Sequence, residues 1–133
     1  MPAKVILRLV AGVSTLKQPG GGVRMVSYFV RYRGASPDPA AFTGYYESRH
    51  AAILRQFPAI RSLILHCPVA SHDPFPVRPG ESLLLAQMQF DNVNDLDAAL
   101  RSEARCKARE DFQRFPPFSG EVTHEAMSGK IIF

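Results

Sequence analysis

Phe42, Tyr46, His50, Ile53, Leu54 and Phe57 recur at spacings of three and four residues. That is the period of one helix face. Asp38 is suited to cap this helix and Pro39 to open it, and Pro58 ends it near Phe57. Gly44 lies inside it, and close packing against a neighbour would explain its place there. The segment "MVSYFVRYR", 25–33, is aromatic and β-branched with no breaker and reads as a strand. A second strand, "IRSLILHC", covers 60–67. The stretch 68–81 holds four prolines and a glycine and reads as a long loop. "SLLLAQMQF", 82–90, is a third strand. Residues 91–115 are helical, with an N-cap expected at Asn94 and a phase break at Ser102. The segment 121–133 closes the chain as a last strand with a short extension.

The order β-α-β-β-α-β defines an α+β, ferredoxin-like βαββαβ plan: one antiparallel sheet with two helices on one face. Leu83, Leu84 and Leu85 place apolar groups on both faces of the third strand. A sheet with one wet face alternates instead. The helices cover one face, so a second copy packed sheet against sheet is expected on the other: a homodimer through the sheet face.

At 133 residues, 46% apolar and 21% charged, the chain suits one globular domain with a real core. A net charge of +4, with no basic run, argues against nucleic acid as a partner. No apolar run is long enough for a membrane span. Cys67 and Cys106 sit far apart in no metal-ligand spacing, which favours a reducing compartment, the cytoplasm, with both thiols buried. Residues 1–24 read as an N-terminal extension, loose or forming an extra strand, ahead of a domain at 25–133. Met25 is an alternative start. The "GGG" at 20–22 precedes a strand, so it does not form a nucleotide-binding turn.

The stretch "DPAAFTGYYESRHAAILRQFPAIRSL" resembles the signature of the EthD-like family, named for a component of ethyl tert-butyl ether degradation. The match rests on Phe42, Tyr46, His50 and Pro58 in register. "MQFD" at 88–91 is similar to the family's aromatic-Asp strand end, and Asp111 and Phe115 in "AREDFQRF" to its second-helix pair. Where the family often carries Gly after the helix-ending proline, this chain has Ala59, which bears on the geometry of that turn. The resemblance covers about residues 25–127. It implies a dimeric α+β barrel with a pocket in each subunit between helices and sheet. It also implies kinship with lactone isomerases, polyketide dehydratases and cyclases, and cofactor-free monooxygenases.

Projected at about 100° per residue, His50 falls inside the apolar stripe of the first helix. Imidazole titrates near neutrality, so an inward His is suited to acid/base work on an enolisable or oxygenated compound. Tyr46, one turn away, is a candidate hydrogen-bond donor to a developing oxyanion. Asp111 is a second inward polar group, read as a polar anchor or as the partner of Arg49 or Arg114. Counting about 1.5 Å per residue from the helix ends leaves His50 and Asp111 roughly 10 Å apart, so no His-Asp dyad is expected. Asp91 reads as a turn or cap residue.

Tyr28, Phe42, Phe90 and Phe112 are the expected pocket walls. His66, His72 and His124 show no ligand spacing, so neither metal nor cofactor is expected. The function that emerges is a cofactor-independent enzyme of dehydration, isomerisation or oxidation. Its substrate would be a small apolar or aromatic oxygenated metabolite. The rival is a non-catalytic accessory or ligand-binding protein that supports an oxygenase or a degradation pathway.

Overall fold

The computed structural model describes residues 16–17 and 23–133. Five strands form one antiparallel sheet: β1 (Leu16–Lys17), β2 (Val23–Ala35), β3 (Ser62–His66), β4 (Ser82–Phe90) and β5 (Ser119–Lys130). β2 is central. It pairs with β4 on one side and, along residues 24–35, with β5 on the other; β3 pairs with β4. The resulting order β5-β2-β4-β3 is that of the ferredoxin-like fold. β1 adds a two-residue pairing at Val23 and Arg24. The reading of residues 1–24 as an extension, and that of the triple glycine, otherwise fall outside the described residues.

α1 (Pro39–Tyr45), a π-helical turn (Tyr46–His50) and α2 (Ala51–Leu54) succeed one another without a break. Asp38 caps α1, its Oδ1 accepting from the Ala41 N–H at 3.1 Å, and Pro39 opens it. The second helical region is two helices, α3 (Val93–Leu100) and α4 (Glu103–Asp111), then a 3₁₀ turn at Phe112–Arg114. The expected phase break at Ser102 is a true interruption: Ser102 caps α4 by accepting from the Arg105 N–H. The cap of α3 is Asn92, not Asn94; its Oδ1 takes the Asp95 N–H at 2.8 Å. The helix starts two residues early because Asn92 has the extended backbone that a cap needs, whereas Asn94 already lies inside the first turn.

Val30, Tyr32, Leu84, Ala86, Met88 and Phe90 face the helices and meet Phe42, Tyr46, Leu54, Leu96 and Ala99 in one core. Phe42 is 0% exposed and stacks edge-on against Tyr32 and Phe115. Burying such a ring is worth about 1.5–3 kcal/mol. A register shift between Tyr32 and Arg33 places Leu83 opposite no residue of β2, which explains the apolar triplet in part.

Two expectations change. Gly44 meets nothing within 4 Å of an added Cβ, so close packing does not account for it. Both cysteines are exposed and free, because Cys67 sits at the mouth of the proline-rich loop and Cys106 is on the outward side of α4. Asp91 holds Arg61 from across the strand end, with Oδ2 taking both Nη2 at 2.6 Å and Nε at 3.1 Å. Ala59 occupies the left-handed region at φ 63. A side chain costs about 1–2 kcal/mol there, partly offset in glycine by its greater unfolded freedom. Ala59→Gly is expected to raise stability by up to about 1 kcal/mol in urea unfolding; a loss would show that the turn is unstrained.

Candidate functional site

The helix that carries His50 changes its winding at that point. Ala51 N–H bonds the carbonyl of Tyr46, five residues back, and this widened turn spans Tyr46–His50. Such a turn inserts one residue and rotates the rest of the helix relative to the part before it. His50 points inward, 5% exposed, and packs edge-on between Tyr46 and Phe115, ring centroids at 4.7 and 4.8 Å.

Asp111, at the end of α4 and 6% exposed, meets it there. Asp111 Oδ2 lies 2.9 Å from His50 Nδ1, and Oδ1 accepts from the Tyr45 hydroxyl at 2.7 Å. The expected separation of roughly 10 Å is therefore wrong, and so is the pairing of Asp111 with Arg49 or Arg114 through a hydrogen bond. Axial counting treated each region as one uninterrupted α-helix. The π turn in the first and the break at Ser102 in the second shift both residues.

The charges are set by this geometry. Burial pushes the Asp111 carboxyl up, but the hydrogen bonds from His50 and Tyr45, with the charges of His50 and Arg114, outweigh it. The carboxyl stays below its ordinary range. Burial pushes His50 below the ordinary 6.5, and the hydrogen bond and charge of Asp111 offset that only in part. A neutral imidazole beside an ionised carboxylate must carry its proton on Nδ1, since the carboxylate can only accept. Nε2 is left with a lone pair.

The sign of the pH dependence is fixed. Unfolded, His50 gains a proton near pH 6.5; folded, it resists until lower pH. The unfolded state then binds more protons, so stability present above about pH 6.5 is lost as the pH falls toward the folded value. His124, also lowered, first by burial and then by Arg105 and Arg109, acts in the same direction. Urea midpoints are expected to fall between about pH 7.5 and 5.5; a flat profile would contradict the buried neutral imidazole.

A cavity of about 300 Å³ opens beside His50, between the helices and the sheet. Its apolar walls include Val30, Leu54, Phe57 and Met88, and Tyr28 and Phe112 border it too. Tyr46 also lines it. Tyr46 is raised well above the ordinary tyrosine value, by burial and then by Tyr32, whose hydroxyl is coupled to its own; both stay protonated. Phe42 and Phe90 do not line the cavity. Both are fully packed in the core, because the helix face that carries Phe42 and the strand end that carries Phe90 are closed by neighbouring side chains. Asp111 lies behind His50, outside the cavity lining, with both oxygens engaged.

Sequence reasoning missed Tyr45, Tyr32, Arg105 and Arg109 and gave little weight to His124. The arginines sit four apart on α4 beside the buried Ala104 and Ala108, a spacing that could have flagged them. His124 pairs in register with Val30 and so faces the helices. Among the described residues no group of three or more His, Cys, Asp or Glu side chains converges as a metal site, and no helix is long and apolar enough to cross a membrane.

The sheet order and the helices packed on one face define an α+β protein of the ferredoxin-like kind. Residues 35–116 match the EthD domain, and the chain belongs to that family. No curated protein matches it. Among solved structures it is similar to an ethyl tert-butyl ether degradation family protein from Bacillus halodurans C-125, at 24% identity and a TM-score of 0.60, covering 81% of this chain and 99% of that one. A monooxygenase of Streptomyces coelicolor in complex with nanaomycin D aligns at 13% identity and a TM-score of 0.60, covering 82% and 90%. A dimeric ferredoxin-like protein from Bacteroides fragilis NCTC 9343 aligns at 10% identity and a TM-score of 0.52, covering 80% and 96%. At these identities the likeness establishes the fold.

Proposed function

We propose that this EthD-family chain is a cofactor-independent enzyme that removes a proton from a small, mostly apolar, oxygenated compound held between helices and sheet. The buried His50–Asp111 pair beside the cavity carries this reading. Nε2 of His50 takes the proton from an acidic C–H or phenolic O–H, and the imidazolium formed is stabilised by Asp111. Tyr46 and Tyr32, held protonated, supply a donor to the oxygen where negative charge develops. From that anion three outcomes diverge. Return of the proton to another carbon is isomerisation. Departure of a neighbouring hydroxyl as water is dehydration. Transfer of the anion's electrons to dioxygen is oxidation. The family and the monooxygenase among its structural relatives support the class, and the accessory-protein reading keeps the cavity without the proton transfer.

The experiment is hydrogen–deuterium exchange in bicyclic ketones with an acidic α-C–H, led by 2-tetralone, monitored by proton NMR. Exchange above the buffer rate that depends on the folded protein supports the reading. Binding of the ketones without faster exchange favours the accessory protein.

The same reading includes a homodimer through the open sheet face. Phe29 and Leu85 are half-buried on that face, and Ile64 and Met127 are exposed on it. Apolar side chains there need a cover that the helices on the opposite face do not give. Sedimentation at micromolar concentration is expected to give a dimer, and Leu85→Glu a folded monomer; a wild-type monomer would reject the interface.

A further inference from the structure

The rim of the cavity differs from its walls. Arg105, half-buried, and Arg109, exposed, rise from α4, and His124 faces them from β5. Arg105 lies over the Tyr28 ring, its guanidinium carbon 5.9 Å from the centroid, and the Tyr28 and His124 rings are 5.9 Å apart. Both arginines influence His124 electrostatically, so the three groups share one neighbourhood. Among the described residues the ion pairs are His50–Asp111 and Arg61–Asp91, so neither rim arginine is held by a carboxylate. A surface arginine commonly finds an acid when one is near, yet among the described residues no acidic side chain lines this cavity. Two guanidinium groups with open forks, on a cavity otherwise apolar, fit an oxyanion. Arg105 is held in place by Tyr28 rather than by a charge that a ligand would have to displace.

We infer that the ligand of this cavity carries a carboxylate or comparably acidic oxygen, clamped at the mouth by Arg105 and Arg109 while its apolar body reaches His50. Both arginines and Asp111 lie on α4. Arg105 precedes Asp111 by six residues, about 9 Å of helix axis, and Arg109 by two, about 3 Å. The clamp also orients the molecule, since only one end can face the arginines. This rests on the cavity being the ligand site, as proposed above, and not on the chemistry at His50.

The test compares 2-naphthoate with 2-naphthamide, which share shape and ring but differ in charge, by titrating naphthalene fluorescence at low ionic strength. The acid is expected to bind at least about tenfold tighter than the amide. Arg105→Gln combined with Arg109→Gln is expected to bring the two within about twofold, chiefly by weakening the acid. Arg55→Gln, at an exposed position outside the cavity lining, is expected to keep the preference; its loss there would mean a general field and overturn the clamp. Equal binding of acid and amide by the wild type, or a preference that survives the double variant, would overturn the anion assignment and leave the cavity reading standing. Failure of both probes to bind at millimolar concentration would overturn the cavity reading and the clamp with it.

Discussion

His50→Gln is expected to slow exchange at the α-carbon of 2-tetralone by about 10²- to 10⁴-fold, the range that a positioned general base supplies. Glutamine keeps the length and polarity of the side chain and can still donate to Asp111, so the fold should persist. What it lacks is a nitrogen lone pair basic enough to take a proton near neutrality. Affinity for the ketone is expected to change by no more than a few-fold, because His50 is one of many side chains that line the cavity. This split between binding and rate separates a base from a packing residue. Unchanged exchange in a folded His50→Gln protein would remove His50 from the chemistry. Lost exchange with equal loss of affinity would make it a binding group instead.

Asp111→Asn is expected to cost about 10²-fold or more in the same assay, although Asp111 does not line the cavity. The carboxylate can only accept, so it fixes the Nδ1–H tautomer. An asparagine amide can also donate. It then allows Nδ1 to act as acceptor and moves the proton to Nε2, where the imidazole no longer works as a base. A second signature distinguishes this from mere destabilisation. Asp111 is the influence that raises His50 against burial, so its loss lowers the imidazole further and moves the acid limb of the rate profile to lower pH. Denaturant unfolding should show a loss of about 1–3 kcal/mol, from one charge-assisted hydrogen bond weakened and Tyr45 left with a poorer acceptor. A rate that falls with no movement of the acid limb would mean that Asp111 acts only on the fold.

The order of strands and helices was legible in the chain because local patterns wrote it. The β4 strand matches the expected 82–90 segment, and Asp38 and Pro39 open the first helical region as capping chemistry demands; that region ends at Leu54, short of the expected stop at Pro58. The inward aim of His50 was legible too, since it shares the periodicity of Phe42 and Tyr46. Ala59 carried a readable signal, a side chain where the turn adopts the left-handed conformation.

The meeting of His50 with Asp111 was not legible in the chain. Periodicity gives the face of a residue on its own helix, not the rotation and offset between two helices. Here a widened turn at 46–50 and a fresh start at Ser102 displaced both partners from any regular count. The same limit separated Tyr28 and Phe112, which reach the cavity, from Phe42 and Phe90, which do not. All four are aromatic and inward, and only the packing of the layers decides which rings close on one another and which border empty space. The arginine pair became visible as a rim for that reason as well: β5, the last strand in the chain, returns beside the first long one and brings His124 opposite α4. The chain by itself dictated the elements and their buried faces, because those depend on neighbours a few residues away. The dyad, the cavity and its charged mouth depend on residues sixty or more positions apart, and only the folded arrangement brings those together.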